Sequence, residues 1–168
     1  DDESATISIG SVSGGGASES GTQSVTITIA ENESAPTVTL SVSATSIAEN
    51  AGSSLTITAT LSGATDEDVT VGIDTAGTAT EGTDYTDGSG NVDDITITAG
   101  STTGTVSFTP TDDSIYEGNE TATIAISSVT GEASESGTQT VTITITENES
   151  APTVTLTTSA TSIAENAG

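Results

Sequence analysis

"TQTVTITIT", Thr138–Thr146, alternates polar and apolar residues from Thr140 to its end. A period of two puts Val141, Ile143 and Ile145 on one face and the threonines on the other, the pattern of a strand half-buried against a core. Threonine suits the open face, being β-branched as well as polar. The same alternation runs through Pro36–Val42, Ser53–Leu61, Asp68–Thr75, Asp93–Ala99, Thr103–Pro110 and Glu120–Ser128. Turn-forming stretches such as "AENAG", "LSGATDED", "TAGSTTG" and "TGEASESG" separate these seven segments. No segment has a helical period. The expectation is an all-β, seven-stranded antiparallel β-sandwich. Its inward residues are Val38, Leu40, Leu55, Ile57, Val69, Val71, Ile73, Ile95, Ile97, Val106, Phe108, Ile124, Ile126, Val141, Ile143 and Ile145.

Composition alone would argue otherwise. Hydrophobic residues make up 31% of the 168 residues, aromatics 2%, and the formal charge is −25. Low hydrophobicity with high charge is the signature of disorder, yet the strict alternation specifies strands with thin cores. There is no Lys, Arg or His, so no side-chain salt bridge can form. Two carboxylates about 4–5 Å apart repel by roughly 3–4 kcal/mol at an effective dielectric near 20. "TDDSIYEGNE", Thr111–Glu120, nevertheless gathers four in ten residues. Neutralising charge must come from solution: sodium, a divalent cation or a basic partner. Nucleic acid and an anionic membrane surface are excluded as partners, because both are gripped through Lys and Arg. Without Cys there is no disulfide, and without Lys no Lys–Asn crosslink.

The alternating strand belongs to a longer copied stretch. "SGTQSVTITIAENESAPTVTL" at Ser20–Leu40 recurs as "SGTQTVTITITENESAPTVTL" at Ser136–Leu156, an offset of 116 residues. "TSIAENAG" at Thr45–Gly52 recurs at Thr161–Gly168. "ATISIGSV" matches "ATIAISSV" one residue out of step, and the triple glycine at Gly14–Gly16, read as a hairpin tip, absorbs the difference. A period of this length fits a whole domain rather than a solenoid repeat. Residues 1–32 then read as the end of a preceding repeat, 33–148 as a complete one, and 149–168 as the start of the next.

The complete unit resembles the Calx-β domain. The resemblance rests on "SIAENAG" after the first strand, "GTATEGTDYT" between the third and fourth, and "ITITAGSTTGTVSFTPTDD". It continues through "TDDSIYEGNET", leading into the sixth strand, and "TITENE" at the end of the seventh. The resemblance implies an immunoglobulin-like sandwich with calcium held by loops at one end, and tandem repetition in bacterial surface and adhesion proteins. Carried over by position, the family's ligands fall on Glu49, Asp84, Asp112, Asp113 and Glu117. Glu147 and Glu149 complete the set, although many relatives have Asp-rich endings where this chain has "ENE". Glu120 reads as the start of a strand rather than a ligand. In the flanking copies the matching positions are Glu165, Glu31 and Glu33. In a sandwich of this order the loops bearing these carboxylates share one pole, and calcium takes six to eight oxygen ligands.

Two readings of the acidic cluster stay open here: a calcium site, or a solvated surface of the kind proteins from salty water carry. Catalysis is not expected, since triads, Schiff bases and arginine clamps all need residues the chain lacks. The functional expectation is a structural repeat of a secreted bacterial surface fibre, filament or giant adhesin stalk, extracellular or on the cell surface. Its partners would be neighbouring repeats of the same chain, with self-assembly into filaments by strand exchange as a variant. The alternative is a module that binds a carbohydrate or a protein, for which Tyr85 and Tyr116 are the candidate aromatic contacts.

Overall fold

The structure, a computed structural model, describes residues 2–88 and 92–165. The middle of "YTDGSGNVDD", whose Gly, Asp and Asn read from sequence as a polar turn, and the last three residues of the second "TSIAENAG" lie outside the described residues. The chain forms two compact units, Asp1–Ala35 and Pro36–Gly168.

The first unit is a hairpin of β1 (Glu3–Ser8) and β2 (Ser24–Ile29), paired antiparallel with Ile7 opposite Val25. Gly14–Gly16, all at positive φ, lie in the connection.

The second unit contains β3 (Thr37–Val42), β4 (Ser46–Ala48), β5 (Leu55–Leu61), β6 (Val69–Gly77), β7 (Tyr85–Thr86), β8 (Ile95–Ile97), β9 (Thr103–Pro110), β10 (Glu120–Thr130), β11 (Ser134–Glu135) and β12 (Thr140–Thr146). They make two five-stranded sheets, β4-β12-β10-β6-β8 and β11-β3-β5-β9-β7. This is the expected all-β sandwich, and no helix occurs among the described residues. All the inward residues read from the alternation lie in the core or against it, with Leu55, Ile73, Val106, Ile126 and Val141 half-buried at its rim.

The strand read over Asp93–Ala99 is shorter, Ile95–Ile97, because carboxylates take over at its ends. Asp94 Oδ1 accepts the Ile73 N–H and Asp68 Oδ1 accepts the Ala99 N–H, in place of ladder bonds. The short strands β4, β7 and β11 have no alternating run long enough to announce them. β4 arises where the chain leaves β3 and crosses to the other sheet. There Ile47 drops into the core and pairs in parallel with Ile145.

Tyr85 corrects the sequence reading. Its side chain is 1% exposed and its ring stacks on Phe108 with centroids 4.6 Å apart. It plugs the sandwich and is no surface contact. Gly77 ends β6 at φ 132°, and a Cβ there would sit 2.0 Å from the Thr121 carbonyl oxygen. That close approach lets the Thr121 carbonyl accept N–H bonds from both Thr78 and Ala79, turning the chain toward the loop that carries Asp84.

Candidate metal centre

Three adjacent strands of one sheet end their core-facing rows in carboxylates. Ile47 of β4, Ile145 of β12 and Glu120 of β10 form one rung across the sheet. One step further along, Glu49 follows Ile47 and Glu147 follows Ile145 on the same side, since residues two apart share a face. Where the apolar row runs out, an acidic row replaces it. The β9–β10 loop brings Asp113 and Glu117 to this pole, and the loop between β6 and β8 brings Asp84.

Backbone hydrogen bonds fix the arrangement. The Glu49 N–H donates to the Thr146 carbonyl at 3.0 Å, extending the β4–β12 pairing by one residue. Glu49 is 8% exposed, and its Oε1 accepts the Asp113 N–H at 3.3 Å. Glu147 Oε2 accepts the N–H groups of Glu117 (2.6 Å) and Gly118 (2.8 Å), while its Oε1 accepts those of Asn148 and Glu149, both at 2.9 Å. Asn119 Oδ1 in turn accepts the Glu147 N–H at 3.0 Å. Asp84 Oδ2 takes the Thr80 N–H at 2.6 Å, and the Asp84 carbonyl takes the Thr111 N–H at 2.9 Å.

Among the described residues the result is three overlapping carboxylate groups, each with ligand atoms within 4.8 Å of one another: Glu49–Glu147–Glu149, Glu49–Asp113–Glu117 and Asp84–Glu117–Glu120. Glu49 and Glu117 are shared. Of the positions read from the sequence, Glu49, Asp84, Asp113, Glu117, Glu147 and Glu149 come together. Asp112 joins none of the three groups, although its charge is felt at Glu49 and Glu149. Glu120 does begin β10, as expected, yet its carboxylate enters the third group. The signal was in the parity: Glu120, Ala122 and Ile124 share a face, so Glu120 faces the core side where the core opens to the pole.

Electrostatics divide these acids. Backbone N–H bonds from Glu149, Gly118 and Glu117 hold Glu147 down at about 2. Its hydrogen bond to Glu149, followed by desolvation and nearby charge, pushes Glu149 up to about 7. Desolvation, then the charge of Asp84 and a hydrogen bond to it, pushes Glu120 up to about 7. Desolvation first and neighbouring carboxylates second raise Glu49 and Glu117. Glu149 Oε2 is buried without a hydrogen-bond partner. Such an oxygen is costly unless a proton shared with Glu147 or a cation reaches it. An all-oxygen donor set without His or Cys matches a hard cation such as calcium or magnesium and does not match zinc or copper.

These shifts set a pH dependence with a definite sign. Between about 4.5 and 7 the folded chain keeps protons on Glu120 and Glu149 that the unfolded chain has lost. Stability without divalent cations therefore falls as pH rises through 7. Glu147 contributes the opposite slope, but only below about 4.5, as pH falls toward 2. In calcium-free buffer the melting temperature is expected to be higher at pH 5.5 than at pH 8.5. A melting temperature rising steadily over that range in thermal denaturation would contradict this arrangement of protons.

The Calx-beta domain family model matches residues 31–149. The chain belongs to the Calx-beta domain family. A crystal structure of CBD12 from CALX1.2 superposes with a TM-score of 0.52 at 18% identity, covering 64% of this chain and 43% of that one. The apo-form Calx CBD1 domain superposes with a TM-score of 0.53 at 17% identity, covering 68% of this chain and 99% of that one. At that identity the likeness shows the Calx-beta sandwich alone. Comparison with curated protein sequences gives no match.

Proposed function

We propose that this Calx-beta chain is a stretch of a repeat-built, extracellular bacterial surface fibre or adhesin stalk, and that calcium bound at the acidic pole stiffens the junction between successive domains. The observation that carries the reading is the position of Glu147 and Glu149. They close the first carboxylate group, and they also lie at the start of "ENESAP", the segment leading out of β12 toward the next copy of the β3 sequence. A cation held there ties the outgoing linker to Glu49 of the domain it leaves.

The hairpin supports the tandem organisation. Ala5 pairs with Ile27 as Ala122 pairs with Ile143, and Thr6 with Thr26 as Thr123 with Thr142. Gln23 bonds Glu19 and the Ser20 carbonyl as Gln139 bonds Glu135 and the Ser136 carbonyl. Glu31 accepts the N–H groups of Asn32 and Glu33 as Glu147 accepts those of Asn148 and Glu149. Ile27 is 48% exposed whereas its counterpart Ile143 is fully buried. The hairpin thus has the register and apolar face of a β10–β12 pair, a face that strands of the β3, β5 and β9 type cover in the complete sandwich. Absence of Lys and Arg leaves trypsin-like proteases no cleavage site, which suits an exposed fibre.

Small-angle scattering of the whole chain with calcium and after chelation tests the stiffening. Calcium is expected to narrow the range of dimensions toward one form and to slow amide exchange at Glu147–Ser150. Superimposable profiles and exchange rates in the two conditions would defeat it.

The alternative of a binding module keeps one observation in its favour. Ile115 and Tyr116 are 60% and 45% exposed, side by side on the β9–β10 loop. Tyr85, its other aromatic candidate, belongs to the core.

A further inference from the structure

Glu81 is an acidic residue of the loop between β6 and β8 that belongs to none of the three carboxylate groups. Both of its oxygens are engaged within the protein. Oε1 accepts the N–H of Val92, which is itself a core residue, and Oε2 accepts the Thr75 hydroxyl of β6 at 2.9 Å. Glu81 and Tyr85 form an isolated bridge, and the Gly82 N–H donates to the Tyr85 carbonyl at 2.8 Å. One carboxylate therefore pins the start of the loop to β6 below it and to the returning chain beyond it, while Tyr85 anchors it in the core against Phe108. Asp84 sits between these two anchors. Its own orientation comes from Thr80, the neighbour of Glu81, and from Thr111 on the opposite loop.

We propose that Glu81 is a positioning residue: by holding Thr75 and Val92 it fixes the loop that presents Asp84 to Glu117 and Glu120, and so sets cation affinity in that group. The inference rests on the calcium reading above. Supporting groups around a metal typically carry 10–100-fold in affinity. In contrast to Asp84, Glu81 acts through hydrogen bonds and not through contact with the cation, so its charge is dispensable. A glutamine can keep both bonds, its oxygen accepting from Val92 N–H and its amide donating to the Thr75 hydroxyl.

The test titrates the whole chain with calcium by calorimetry and with terbium by tyrosine-sensitised luminescence, alongside amide exchange at Thr111. Glu81→Ala is expected to weaken binding about 10–100-fold and to speed Thr111 exchange even without metal. Glu81→Gln is expected to restore affinity to within about threefold of the native chain, as an intact latch requires, and to keep Thr111 protected. Asp84→Asn marks the effect of losing the ligand itself. Should Glu81→Ala fail to fold, Thr75→Val removes only the hydroxyl on Oε2 and is expected to act in the same direction. A folded Glu81→Ala with native affinity and native Thr111 exchange overturns the inference. A native chain that binds neither ion overturns the calcium reading instead, and the metal-free Thr111 exchange then still decides whether Glu81 positions the loop.

Discussion

Replacing Phe108 by alanine is expected to cost about 3–5 kcal/mol, the range for a fully buried aromatic. Phe108 is completely inaccessible, on β9, paired across from Leu55 and stacked on Tyr85. The chain has two tyrosines and one phenylalanine, and the rest of the core is Val, Ile, Leu and Ala. Valine and isoleucine are stiff at χ1 and cannot swing into the space a missing ring leaves. The cavity term is therefore near its upper end. A domain of this size has about 5–15 kcal/mol of stability in all, so the variant is expected to be close to unfolded without calcium.

The consequence also reaches the acidic pole. Tyr85 would lose its stacking partner, and Asp84 is the adjacent residue. Phe108→Ala should therefore weaken calcium binding beyond what its stability loss alone explains. Phe108→Leu, which refills most of the volume, is expected to recover more than half of the stability. Urea denaturation followed by circular dichroism measures both variants. A loss under about 1 kcal/mol for the alanine variant would mean that the stacked pair is not central to the core.

How far the sequence revealed this molecule follows from which signals have a period. The two sheets were legible because Val, Ile and Leu alternate with Thr over whole strands, and β9, Thr103–Pro110, begins and ends where the pattern does. Strand ends were less legible where a side chain substitutes for backbone pairing, as Asp68 and Asp94 do at β8. The short strands β4, β7 and β11 depend on the sandwich being assembled first and carry no pattern of their own. At the pole, loop residues such as Asp84 and Glu117 came from resemblance. Glu120 could have been read from parity alone, as the acidic continuation of the Ala122–Ile124 row. Tyr85 was misread because a tyrosine beside "GTD" looks like a loop residue. Only the tertiary stacking on Phe108 buries it.

Calcium removal is the perturbation with the largest expected effect on the intact chain. If a cation position binds with a dissociation constant of about 10–100 μM, then about 10 mM calcium adds roughly 3–4 kcal/mol for that position through mass action. At about 4–8 °C per kcal/mol for a domain near 100 residues, chelation is expected to lower the melting temperature by about 10–30 °C. The size reflects what the fold already tolerates: seven carboxylates in three overlapping groups, an oxygen of Glu149 buried without a partner, and no cationic side chain anywhere to offset them. Sodium screens such a cluster without bridging it. The comparison is therefore about 10 mM calcium chloride against about 30 mM sodium chloride, which has the same ionic strength. A solvated acidic surface would respond equally to both salts, whereas a coordinating site responds to calcium alone. Position within the cluster sharpens the contrast. Glu117 is shared by two groups and Asp112 belongs to none, so Glu117→Gln should remove most of the calcium-dependent rise in melting temperature, whereas Asp112→Asn should leave most of it. Equal melting temperatures in the two salts, or equal effects of the two substitutions, would make the pole a solvated surface and leave the junction without its stiffening ion.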